Sequence, residues 1–101
     1  PGRVIQAPKS LMENRSVTIL NKYGIHCRPA AVIAKEAQTY SGSITVRNEN
    51  GETCEARNIM GLIGLGITVN QTVELEVDGP DADTTADRMA ELFSTPFDFT
   101  R

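Results

Sequence analysis

The first patterned stretch of the chain is Val17-Thr18-Ile19-Leu20, a β-branched and apolar run that predicts a strand. It stops at Asn21-Lys22-Tyr23-Gly24, a turn-prone sequence with glycine available for a positive φ. A helix is expected next. Pro29 suits a first-turn position, and Ala30, Ile33, Ala34 and Ala37 recur along one stripe that ends by Tyr40-Ser41-Gly42. Ser43–Arg47 and Thr53–Arg57 then alternate with period two around Asn50-Gly51, which predicts an antiparallel hairpin. Asn58 precedes the apolar run Ile59-Met60-Gly61-Leu62-Ile63-Gly64-Leu65-Gly66 and reads as the cap of a short helix, weakened by three glycines and held by packing. Thr72–Asp78 is the cleanest alternation, with Val73, Leu75 and Val77 inward and acids outward. After Gly79-Pro80, Asp81 is placed to cap a last helix whose Ala82, Ala86, Met89 and Phe93 share a face.

The predicted order is therefore βαββαβα. Strands with one polar face, and only enough helices to cover the other, imply an α+β open-faced sandwich: a four-stranded antiparallel sheet with three helices on one side. Residues 1–14 carry two prolines and scattered charges and read as a flexible extension, leaving 15–101 as the folded domain.

Composition narrows the chemistry. The 101 residues suffice for one core, and are too few for the two-domain designs of most cofactor-dependent enzymes. A net charge of −3 argues against a nucleic-acid or anionic-membrane protein. That sum hides an asymmetry: residues 1–60 hold 8 basic and 5 acidic side chains, residues 61–101 hold 2 and 8. Cys27 and Cys54 form no CxxC pair and, with a single His, no four-ligand zinc set, so they read as reduced thiols and no metal is expected. No secretory leader pattern or membrane-length apolar run is present in the sequence, which fits a cytoplasmic location; a monomer is expected.

With one histidine in the chain, any reactive centre is expected at His26. Gly24-Ile25-His26-Cys27-Arg28-Pro29-Ala30-Ala31 places an imidazole and a guanidinium two residues apart just before a helix. The helix start offers free backbone N–H groups, here those of Cys27 and Arg28, and positive dipole charge. Neutral imidazole is a nucleophile, and Arg28 adds planar, bidentate recognition of a phosphoryl group. Small side chains at Ala30 and Ala31 leave the approach open. A lone histidine at a loop-to-helix junction is often only a cap or surface residue, and spacing alone leaves both readings standing.

The same residues carry a resemblance. The chain is similar from about Val17 to Phe93 to HPr, the histidine-containing phosphocarrier family of the bacterial phosphoenolpyruvate-dependent sugar phosphotransferase system. The matching elements are Gly-Ile-His-Cys-Arg-Pro-Ala-Ala at 24–31, Asn-Gly at 50–51, Ile-Met-Gly at 59–61 and Leu-Gly-Ile at 65–67. The resemblance implies the βαββαβα fold, phosphorylation of His26 on Nδ1, and stabilisation of that group by Arg28 without a cofactor. It also implies a carrier rather than a self-sufficient enzyme, with enzyme I as donor and IIA proteins or domains as acceptors. Ala31, Lys35, Ile59, Met60 and Ile63 fall at partner-binding positions. A nitrogen-type or regulatory paralogue is the alternative within the family.

One departure is informative. Where kinase-regulated HPr proteins have a serine before Ile-Met-Gly, this chain has Asn58, which keeps the capping oxygen and lacks a hydroxyl to phosphorylate. Two rival readings are weaker. A thiol enzyme using Cys27 with His26 as base lacks a third orienting residue. An RNA-binding module is disfavoured by acidity and by only 5% aromatic residues.

Overall fold

A computed structural model describes residues 12–96. The elements are β1 (Met12–Thr18), α1 (Cys27–Gln38), β2 (Ser43–Arg47), β3 (Thr53–Glu55), α2 (Ile59–Gly64), β4 (Thr72–Asp78) and α3 (Ala82–Ser94). The four strands form one antiparallel sheet in the order β1-β4-β2-β3. Val17, Ile44, Val46, Val73, Leu75 and Val77 bury one face in a single core shared with all three helices. α1 contributes Ala30, Ile33, Ala34 and Ala37, and α3 contributes Ala82, Ala86, Met89 and Phe93, the stripes expected from their spacing. Glu74 and Asp78 of β4, and Arg47 of β2, lie exposed between these inward positions. The result is the open-faced α+β sandwich that the alternation implied.

Four details depart from the sequence reading. β1 begins at Met12, so the last three residues of the expected extension are strand; residues 1–11 lie outside the described residues. The early part of β1 carries charge where hydrophobic residues would mark a strand. Arg15 reaches α3 through Asp87 at 2.9 Å and the Asp83 carbonyl at 3.3 Å, and also pairs with Glu13 at 3.1 Å. The β1 ladder closes at Thr18, leaving Ile19 buried and Leu20 exposed. β3 stops at Glu55.

The hairpin turn is built on Asn48, which is 6% exposed, and is a reverse turn followed by a bulge at Gly51. Gly51 N–H donates to the Asn48 carbonyl at 3.1 Å, and Gly51 has φ +86. The Asn48 side chain also donates to the Leu65 carbonyl at 2.9 Å, which ties the hairpin to the end of α2.

Asp81 does occupy the N-cap position of α3, but with φ 52 its carboxylate accepts no capping hydrogen bond. The Thr84 N–H instead donates to Asp83 in the first turn.

Candidate functional site

The loop between β1 and α1 is fixed from both ends. Ile19 N–H donates to the Gln71 carbonyl at 2.9 Å, and Asn70 N–H returns to the Ile19 carbonyl at 2.8 Å. Asn21, fully buried, then closes a turn: its carbonyl accepts Gly24 N–H at 2.9 Å and its side-chain amide donates to the Gly24 carbonyl. Gly24 sits at φ +70, and Ile25 N–H donates to the Ile67 carbonyl at 3.0 Å. A buried Ile25 side chain completes the anchor. His26 follows directly on this anchored turn.

His26 is the N-cap residue of α1, with φ −97 and ψ −166. Its carbonyl accepts Ala30 N–H at 2.9 Å, the first turn closure of the helix. Its side chain makes no capping bond, so the imidazole is left out of the helix's own hydrogen bonding. Of the two ring nitrogens, Nε2 alone is buried without a partner among the described residues. The Tyr23 ring stands edge-on to the imidazole, with centroids 6.2 Å apart and planes at 80°.

α1 starts one residue later, at Cys27, which puts Pro29 third in the helix. Proline there removes no bond, because the amides of the first turn have no intrahelical acceptor. The donors that this end can offer to an anion are therefore the amides of Cys27 and Arg28, and the first turn contains no acidic residue to compete. The Cys27 and Arg28 side chains are both exposed.

The two alanines separate in role. Ala30 is fully buried under the helix and belongs to the core, whereas Ala31 is exposed. An open approach therefore rests on Ala31. Lys35 is exposed in the last turn of α1.

α2 packs against α1, capped as expected by Asn58, whose Oδ1 accepts Gly61 N–H at 3.0 Å. Leu62 is its fully buried residue, while Met60 is 74% exposed, Ile59 is exposed on the margin and Ile63 is half-buried. The structure thus assigns the apolar run of α2 to two faces. Tyr23 and Leu20, more than half exposed, and Val32, exposed on α1, also present apolar surface. Sequence reading had placed Leu20 in the strand and Tyr23 in a turn, and nothing in their spacing marks either as surface apolar.

The thiols differ. Cys27 is exposed at the helix start, whereas burial, and secondarily Glu55, push the half-buried Cys54 thiol above its ordinary range. A groove of about 240 Å³ between α1 and α3, lined by Tyr40, Thr85, Arg88 and Met89 among others, includes none of the predicted site residues. The histidine site is a surface feature. Among the described residues, no helix is long and apolar enough to cross a membrane.

Comparisons with known proteins identify the family and the fold. The sequence profile of the PTS-HPr family, described as the PTS HPr component phosphorylation site, matches residues 13–95. Phosphocarrier protein HPr of Cupriavidus necator is 34% identical over 86 residues, covering 85% of this chain and 96% of that protein. Phosphocarrier protein NPr of Klebsiella oxytoca is 31% identical over 84 residues, covering 83% and 93%. Among solved structures, the phosphocarrier protein HPr from Bacillus anthracis superposes with a TM-score of 0.76 at 28% identity, covering 81% of this chain and 96% of that one.

Proposed function

Because the chain belongs to the HPr family of phosphocarrier proteins, we propose that His26 is its phosphoacceptor, taking a phosphoryl group from phosphorylated enzyme I and passing it to IIA proteins or domains. The observation that carries this reading is the position of His26: an imidazole with no capping bond, standing directly ahead of the Cys27 and Arg28 amides. A buried Nε2 leaves Nδ1 as the nucleophilic nitrogen.

In the step itself, the Nδ1 lone pair forms the new bond to phosphorus. The bond from phosphorus to the donor breaks, and its electron pair stays on the donor. The phosphoryl oxygens then face the positive end of α1 and the Arg28 guanidinium. Transfer onward reverses these events toward the acceptor. A carrier must hold the group without trapping it, and one guanidinium with two amides at an open surface meets that requirement better than an enclosed cavity would. Met60, Ile59 and Ile63, with Ala31 and Lys35 on α1, supply the docking face; methionine suits a surface that must adapt to more than one protein.

Relatives named NPr at 31% and 30% identity favour a second reading within the family, a carrier in a nitrogen-type or regulatory branch. Purified enzyme I with labelled phosphoenolpyruvate, followed by a panel of IIA acceptors, tests both. Acid-labile, alkali-stable label on His26 is expected, and the acceptor that drains it identifies the branch. Equal labelling of His26→Ala would refute the assignment.

A further inference from the structure

An imidazole is usually oriented by a hydrogen bond from one of its nitrogens. His26 lacks that device: its side chain makes no capping bond, and Nε2 is buried with no partner among the described residues. The ring does pair with Tyr23, edge-on at 6.2 Å between centroids and 80° between planes, within the range of a favourable aromatic pair.

Tyr23 is itself held in place. It lies in the turn closed by the Gly24 N–H to the Asn21 carbonyl, so its backbone direction is set, and the Lys22 ammonium lies 5.5 Å from its ring centroid. It is nevertheless 64% exposed, so the core makes little demand on an aromatic side chain at this position.

We propose that Tyr23 is a positioning residue for His26, its ring confining the imidazole to the orientation that buries Nε2 and so deciding which nitrogen receives the phosphoryl group. The inference rests on His26 being the phosphoacceptor. Confinement acts on rate as well as on product, since a ring free to rotate spends less time in the reactive geometry.

The test compares the whole chain with Tyr23→Phe and Tyr23→Ala. Enzyme I and phosphoenolpyruvate serve as the phosphoryl source, and histidine-labelled protein is read by nitrogen NMR before and after phosphorylation. Wild type and Tyr23→Phe are expected to show one ring orientation and phosphate on Nδ1 alone. Tyr23→Ala is expected to show an averaged ring, some phosphate on Nε2, and a maximal transfer rate about threefold to tenfold lower, the range of an aromatic pair expressed as a rate. Its half-saturating enzyme I concentration should stay unchanged.

The proposal is overturned if Tyr23→Ala keeps the wild-type ring signals, product and rate. It is equally overturned if only the half-saturating concentration rises, which would make Tyr23 a docking side chain. Failure of the phosphoacceptor reading would look different. Wild type would then carry no label on His26, while the unphosphorylated ring spectra would still decide whether Tyr23 holds the imidazole.

Discussion

Gly24 lies so close to Ile67 that a Cβ built on the glycine would fall 2.3 Å from the Ile67 carbonyl oxygen. That same carbonyl accepts the Ile25 N–H at 3.0 Å, so the loop bearing His26 hangs from the segment that follows α2. Gly24→Ala therefore meets both a clash and a φ of +70. The expected cost is about 2 kcal/mol or more of stability. Phosphotransfer should slow as well, because His26 is displaced with its anchor. Denaturant unfolding and a transfer assay on the same preparation check this; a wild-type midpoint would count against the anchor.

Arg28 and His26 should fail in different ways. His26→Ala is expected to abolish labelling. Arg28→Ala should leave labelling possible but about tenfold to hundredfold slower, in keeping with the loss of one preorganised charge partner. Arg28→Lys keeps charge without the planar fork, and its rate should fall between. Rapid-quench transfer kinetics rank the three.

The thiols give a chemical probe of the helix start. A maleimide at neutral pH should label exposed Cys27 well before Cys54, whose thiol is held up by burial and by Glu55. Bulk on Cys27 should block transfer, while Cys27→Ala should retain it, because the proposed anion contact is the Cys27 amide rather than its sulfur. The sign for stability follows from the raised Cys54 value. Below the ordinary thiol range the folded and unfolded states bind the same proton. As pH rises through that range the unfolded chain releases its proton first, so stability falls. Cys54→Ser should remove that part of the alkaline loss, measured as denaturant midpoints against pH.

Neighbours on α2 should separate docking from packing. Met60→Asp changes a side chain that is 74% exposed, so its midpoint should hold within about 0.5 kcal/mol while transfer to or from partners weakens. Leu62→Ala removes a fully buried side chain and is expected to cost about 2–5 kcal/mol. Loss of stability in the first variant, or its absence in the second, would mean the face has been assigned backwards.

Asn58 closes the kinase question at its own position. Wild type incubated with an HPr kinase and ATP should take no label at residue 58, whereas Asn58→Ser presents a hydroxyl at the same helix start. Labelling of Asn58→Ser alone is the expected pattern, and efficient labelling of wild type at a nearby Ser or Thr would contradict it. Asn58→Ala should cost about 1 kcal/mol through loss of its 3.0 Å bond to Gly61 N–H.

The elements legible in the sequence are those whose core faces are purely apolar. β4, with Val73, Leu75 and Val77, and α3, with Ala82, Ala86, Met89 and Phe93, stand as their spacing predicted. β1 was cut short because Glu13 and Arg15 alternate with exposed positions where a strand usually shows aliphatic residues. Both are only half-buried there, Arg15 pairing with Asp87 of α3 and with Glu13, a tertiary fact. Asp81 makes no cap for a local reason: its backbone is left-handed rather than in the extended conformation from which an N-cap side chain reaches the first-turn amides. At the candidate site, His26, Arg28 and the helix start were readable as a motif. Tyr23 was not, because its relation to His26 depends on how the Asn21 turn aims it. Buried Asn21 and Asn48 are equally invisible, since an asparagine's burial is decided by the carbonyls and amides that fold brings to it.

The order β1-β4-β2-β3 puts the last strand of the described residues in the interior of the sheet. β1 and β2, which flank it, have no complete partner on that side until residue 78 has been synthesised, and the carbonyl that holds Ile25, that of Ile67, comes just before that strand. On the ribosome, therefore, the histidine loop emerges early and acquires its shape late. A nascent chain cut between Ala31 and the start of β4 should carry the full site motif without the strand that completes the sheet, so labelling of His26 is expected only once the domain is whole.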